Sequence, residues 1–197
     1  MKLPKTEHTS RSWRIHDLTR DFRLEDVWEL PTPGGPDDFP RLVQVVASFD
    51  PMSRGPWPVR ALFAIRFQLG RLFGVDDQGT GPSGSAPSLS DRLPADLREG
   101  PSGPDSDTLP FASLYQLEDE WALEAVNRTV HGVLHLSWVP DGVGGYRGQM
   151  AILVKRNGMV GTAYMAAIKP FRYLIVYPLM TREFGRAWRA STERPIQ

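Results

Sequence analysis

The stretch "EDEWALEAVNRTVHGVLHLSW", residues 118–138, decides how this chain is read. Two runs rich in strand-forming residues alternate apolar and polar side chains across a short polar break, the pattern of two antiparallel strands joined by a tight turn. The turn falls at Asn127-Arg128 or at Arg128-Thr129, and either two-residue loop keeps the same parity of pairing. Trp121, Leu123 and Ala125 then share one face with Gly132, Leu134, Leu136 and Trp138. Glu120 and Glu124 share the other with His131, His135 and Ser137. Depending on the register, Glu124 stands opposite or diagonal to His131, and Glu120 bears the same relation to His135.

Downstream, "PDGVGG" (140–145) ends the second strand, and "VKRNGMV" (154–160) contains Asn157-Gly158, the favoured pair for a type I′ hairpin turn. That loop predicts Val154 opposite Gly161, Ile152 opposite Ala163 and Met150 opposite Met165. Gly161, Ala163 and Ala167 leave room for a helix or a ligand to approach. Residues 113–169 therefore read as four consecutive antiparallel strands, whose single apolar face needs a cover. The cover is "IKPFRYLIVYPLMTREFGRAW" (168–188), with Phe171, Leu174, Ile175, Leu179, Phe184, Ala187 and Trp188 on its apolar side. Pro178 removes a backbone donor and crowds the carbonyl of Leu174, which predicts a kink or break there.

Upstream, "SWRIHDL" (12–18) suggests a short first strand through Trp13, Ile15 and Leu18. "DFRLEDVWEL" (21–30) carries Leu24, Val27, Trp28 and Leu30 at near-helical spacing, and "PTPGGP" (31–36) breaks any helix. Val59, Leu62, Phe63, Leu69, Leu72 and Phe73 fall at three- and four-residue steps and predict an amphipathic helix. Residues 75–110 turn to Gly, Pro, Ser and Asp, a composition that buries too little apolar area to offset its ordering entropy. Within them, Leu89, Leu93 and Leu97 predict one docked helical turn between two flexible arms. The expectation is a single domain over residues 1–197 with a flexible insertion at about 75–110.

Bulk properties narrow the function classes. The 197 residues are 41% hydrophobic and 23% charged with zero formal net charge, so nothing in the balance predicts nucleic acid as a partner. No cysteine is present, which excludes thiol nucleophiles, disulfides and cysteine metal sites and suits a reducing cytoplasm. The N-terminus lacks the apolar core of a secretory signal, and no window reaches the ~20 apolar residues of an integral membrane segment.

"LEDVWELPTPGGPDDFP" (24–40), "RLPADLR" (92–98) and "GTAYMAAIKPFRYLIVYPLM" (161–180) together resemble the bacterial domain of unknown function 2867 family. The resemblance implies an α+β helix-grip fold, an antiparallel sheet wrapped around a long C-terminal helix, as in START and polyketide cyclase-like proteins. It also implies a cavity between sheet and helix. Relatives occur alone or fused behind a nucleotide-sugar-epimerase-like reductase domain, which suggests a separate reductase as a possible partner. The family brings no assigned reaction and hence no catalytic residue.

Carboxylate–imidazole pairs can do general acid–base work, since the carboxylate fixes the tautomer and raises basicity. Glu120, Glu124, His131 and His135 are therefore the catalytic candidates. Their face lies opposite the aromatic one, so it is expected to be wet, with the pairs acting as cross-strand stabilisers. "HGVLH" (131–135) has the spacing of a helical zinc pair but lacks the glutamate of HExxH and sits in a strand, so no metal is expected. Ser137 has no nucleophile-elbow context. Five arginines after residue 170 against Glu183 and Glu193 fit a solvated helix face. No cofactor motif is present: there is no GxGxxG after an N-terminal strand.

The leading expectation is a cytoplasmic binding protein enclosing a small hydrophobic molecule. Its lining would be Trp121, Leu123, Leu134, Leu136, Trp138, Met150, Ile152, Ala163, Met165, Leu174 and Tyr177. The alternative is a cofactor-independent cyclase- or dehydratase-like enzyme using the Glu/His set.

Overall fold

The structure is a computed structural model that describes residues 1–50, 87–105, 111–126, 130–156 and 176–192. Its centre is a six-stranded antiparallel sheet. The strands are β1 (Lys2–Leu3), β2 (Arg23–Glu29), β3 (Ala112–Gln116), β4 (Glu120–Val126), β5 (Val130–Pro140) and β6 (Tyr146–Arg156), in the order β1-β2-β6-β5-β4-β3. The helices are α1 (Thr6–Thr9), α2 (Ile15–Leu18), α3 (Phe39–Ala47), α4 (Ala95–Arg98) and α5 (Tyr177–Thr192), and Leu89–Arg92 form a 3₁₀ turn. The fold class is α+β, with an antiparallel sheet and a C-terminal helix.

The β4–β5 hairpin has the predicted faces. Trp121 pairs with Leu136, Leu123 with Leu134 and Ala125 with Gly132. On the reverse face, Glu120 pairs with Ser137 and Ala122 with His135.

Two local expectations fail, each for a tertiary reason. Residues 15–18 form a helical turn, not a strand, because Ile15 and Leu18 sit three apart and both are buried against the sheet. Residues 23–29 form β2, not a helix, because this strand is inserted between β1 and β6. Both of its faces are covered, so Val27 and Trp28 are buried on opposite sides and the alternation that marks a strand is erased. A bulge between Leu24 and Asp26 shifts the phase further and yields the spurious helical spacing.

The position of β2 also corrects the expected partner of β6. Met150 pairs with Trp28 on one side and Leu136 on the other, and Ile152 with Asp26 and Leu134. Both edges of β6 are taken, so the slot predicted for Ala163 and Met165 belongs to β2. The Asn157-Gly158 turn, the strand 159–167, the helix through Val59–Phe73 and the outer part of the 75–110 insertion lie outside the described residues.

Each face of the sheet carries its own core. On one face α3 and α5 pack over Trp28, Leu30, Trp121, Leu123, Leu134, Leu136, Trp138 and Met150, with Phe39, Leu42, Phe184 and Trp188 from the helices. Trp138 donates its indole N–H to the carbonyl of Gly35, and Trp188 to that of Pro33, so the 31–36 loop is fastened beneath α5. Pro178 lies two residues past Val176, which is π-helical, the kind of irregularity a proline imposes on a helix. The Leu174 carbonyl that Pro178 is expected to crowd lies outside the described residues.

The second core covers the reverse face. Trp13, Ile15 and Leu18 from the N-terminal segment and Leu89, Leu93 and Leu97 from the middle of the chain meet Tyr115, Ala122, Val133 and Leu153. The three leucines dock as predicted, but on two short turns, Leu89–Arg92 and Ala95–Arg98, with Leu93 extended between them. Residues 101–103 continue along the free edge of β3, where Gln116 N–H donates to Pro101 O at 2.8 Å. Gly103, at φ +87°, passes so close to Trp121 that a Cβ would stand 2.6 Å from the indole nitrogen.

Candidate functional site

The sheet separates the two groups of candidate residues. Trp121, Leu123, Leu134, Leu136, Trp138, Met150 and Tyr177 lie in the core beneath α3 and α5, with Ile152 packed at its margin. Ala163, Met165 and Leu174 lie outside the described residues. Glu120, Glu124, His131 and His135 lie on the opposite face. They are not wet as expected: all four are at most 6% exposed, because α1, α2 and the 87–98 segment form a second covering layer.

His135 is built into a chain of hydrogen bonds. Its Nε2 is 2.8 Å from Glu120 Oε2, the diagonal relation allowed by the β4–β5 register. Its Nδ1 is 3.0 Å from His8 Nε2, and His8 Nδ1 is 3.1 Å from His16 Nε2. Four groups thus run from the half-buried His16 to a carboxylate that is 2% exposed. Glu120 also accepts the Arg14 backbone N–H on Oε1 at 3.0 Å and the Tyr115 hydroxyl on Oε2 at 3.3 Å. Trp13 closes the site, its ring centroid 5.5 Å from that of His135.

The electrostatics follow from burial. Desolvation, with His135 and His16 adding like-charge repulsion, pulls the His8 imidazole from 6.5 down to about 2. His16 is lowered by burial and by His135, partly offset by Glu120 and Asp17. Burial and the neighbouring Glu120 raise both the Tyr115 phenol and the Asp119 carboxyl.

A second carboxylate–imidazole pair stands apart. Glu124 Oε2 is 3.0 Å from His131 Nε2 and accepts Leu89 N–H at 2.9 Å, while Oε1 accepts the Ser88 hydroxyl. Burial alone would raise Glu124, but the bonds from His131, Ser88 and Leu89 outweigh it and hold the carboxyl below its usual range. This pair anchors the 87–98 segment to the sheet. Four residues of strand place the Cα atoms of His131 and His135 about 13 Å apart, and each imidazole turns to a different carboxylate.

Beside Glu120 runs a polar rung across four strands. Glu120 pairs with Ser137, Ser137 with Gln149 and Gln149 with Glu29, so all four share one face. The two central members are at most 1% exposed, yet Ser137 Oγ and both amide atoms of Gln149 have no hydrogen-bond partner among the described residues. The Trp13 indole N–H and Arg147 Nε share that condition, although Arg147 Nη1 reaches Glu29 at 2.7 Å. Native structures rarely leave buried polar groups empty-handed, and a cluster of them marks a place for water or a ligand.

Sequence reasoning did not find His8, His16, Arg14, Tyr115 or Gln149. The only signal was that the chain's four histidines comprise one pair near the N-terminus and one in β5. Nothing in the spacing tied the two pairs together.

A search of the curated proteins and a search of the solved structures each found no match. A family profile does match, over residues 18–179, and takes in the whole sheet except β1 and all of the rung. With most of its length aligned, the chain belongs to the family described as protein of unknown function DUF2867.

Proposed function

We propose that this protein is a cofactor-independent enzyme that moves protons on a small molecule, in the manner of a cyclase or dehydratase. Glu120 is its acid–base group. The observation that carries the reading is the buried carboxylate of Glu120, held by His135, next to the unsatisfied Ser137 and Gln149. General acid–base catalysis needs a carboxylate in a defined protonation state within reach of substrate. Ser137 and Gln149 supply donors and acceptors that a substrate carbonyl, hydroxyl or amide would satisfy. Trp13, His8 and Tyr115 exclude bulk water, which strengthens each interaction inside.

The test is turnover by the purified protein of a mixture of small cellular metabolites, followed by mass spectrometry without added cofactor. The expected result is a compound converted to an isomer, or to a product differing by one water, by the native protein and not by Glu120→Gln. Equal conversion by both proteins, or none by either, rejects the proposal.

A small hydrophobic molecule between the sheet and α5 is the second proposal, supported by the aromatic lining there, including the Trp28–Tyr177 ring pair at 5.0 Å. Native mass spectrometry of the protein purified from cells tests it: a bound apolar compound supports it, and the bare chain mass rejects it. The described lining residues already bury one another in a continuous core, which favours the reverse face as the chemical one. Kinship with helix-grip proteins and a reductase partner remain part of the proposal through the family resemblance alone, and a cytoplasmic setting through the lack of cysteine.

A further inference from the structure

We infer that His16, His8 and His135 form a proton relay between the protein surface and the Glu120 carboxylate. The inference rests on the reading of Glu120 as the acid–base group, and adds how that group is recharged.

The chain of hydrogen bonds admits two relay states with neutral rings. With Glu120 ionised, its oxygens accept from Arg14 N–H, the Tyr115 hydroxyl and His135 Nε2–H. With a neutral His135 ring, Nδ1 is an acceptor and His8 presents Nε2–H to it at 3.0 Å. His8 Nδ1 is in turn an acceptor and takes Nε2–H from His16 at 3.1 Å. All three rings are neutral and carry their proton on Nε2, leaving His16 Nδ1 as the open acceptor at the outer end.

Uptake of one proton at His16 Nδ1 starts the transfer. The Nε2 proton of His16 passes to His8 Nδ1, that of His8 to His135 Nδ1, and that of His135 to Glu120 Oε2. Three N–H bonds break, two N–H bonds and one O–H bond form along the chain, and the arriving proton forms the third N–H bond on His16. The end state has three neutral rings protonated on Nδ1 and a neutral Glu120 that donates back to His135. No ring holds a net charge in either state. The strong depression of His8 agrees with that: the middle ring passes a proton on and does not store it.

Asp17 beside His16 attracts a proton to the outer end. At the inner end the neighbouring groups are Asp119, the Arg14 backbone N–H and the Tyr115 hydroxyl. His131 is not part of the chain, because its Nε2 faces Glu124. It serves as an internal control.

The experiment is ¹⁵N NMR of the imidazoles in the full chain across a pH titration, which distinguishes the Nε2–H and Nδ1–H tautomers. At high pH His8, His16 and His135 are expected to carry Nε2–H. As the pH falls, all three change to Nδ1–H in one step, while His131 follows a separate course. In His16→Phe the joint change at His8 and His135 is lost. Three independent transitions in the native protein, or an Nδ1–H tautomer at His8 or His135 at high pH, overturn the relay. The native titration decides the matter even if His16→Phe does not fold. A joint tautomer change without Glu120-dependent turnover rejects only the catalytic reading, and Glu120-dependent turnover with independent transitions rejects only the relay.

Discussion

His8 makes the folded chain sensitive to acid. Its imidazole is held at about 2 in the folded state against 6.5 in the unfolded one, so between those values only the unfolded chain takes up the proton. The stabilisation is complete above pH 6.5 and falls by up to about 1.4 kcal/mol per pH unit below it. Urea midpoints of the native protein should therefore drop as the buffer moves from neutral to mildly acidic, and more steeply than those of His8→Gln. Glu124, whose carboxyl is depressed, acts in the same direction at lower pH: its contribution is present above its unfolded value of 4.5 and lost as acid protonates it. Glu124→Leu is expected to cost about 1–3 kcal/mol for each buried donor it leaves unpaired. The affected donors are Leu89 N–H and His131 Nε2–H, and urea unfolding at neutral pH measures the loss. The pairing of Glu120 and Glu124 with His135 and His131 was legible in the alternation of 118–138. Their burial was not, because the residues that cover them lie far away in sequence.

At the scale of elements, the 87–98 segment shows how three leucines in a Gly/Pro-rich stretch become structure. Leu89, Leu93 and Leu97 insert into the second core, Ser88 and Leu89 hold Glu124, and Arg92 and Arg14 pair with Asp21 and Asp96. The exposed ion pairs contribute little, ~0–1 kcal/mol each, so the leucines carry the docking. Leu93→Ala is expected to loosen this segment locally. Trypsin cleavage after Arg92 or Arg98 should then quicken, while amide exchange in β5 keeps its native protection. The three leucines were readable because their spacing matches helical turns. The strand β2 was not, because a strand buried on both faces loses its period-two signature, and a bulge at Leu24–Asp26 mimicked helical spacing.

Among the described residues the two faces of the sheet carry unlike cores, one aromatic beneath α3 and α5, the other beside the histidine chain. Leu136, fully buried in the aromatic core, lies on the central strand β5 between β4 and β6. Leu136→Ala is expected to cost about 2–5 kcal/mol and to lower exchange protection throughout β4, β5 and β6, since these strands open together only with the global core. The carboxylate–imidazole face, by contrast, should respond to changes in the N-terminal segment. Trp13→Ala uncovers His135 and is expected to admit water to Glu120, seen as faster exchange of the Tyr115 hydroxyl.

The sequence by itself determined the hairpin of residues 118–138, the sorting of its side chains onto two faces and the docking of Leu89, Leu93 and Leu97. Each follows from local periodicity, which acts over a few residues. Only the tertiary structure decided that β2 joins β6, that the charged face is buried and that His8 and His16 meet His135. Those outcomes depend on contacts between segments from 35 residues apart, as Leu89 and Glu124, to 127, as His8 and His135, for which no local pattern exists.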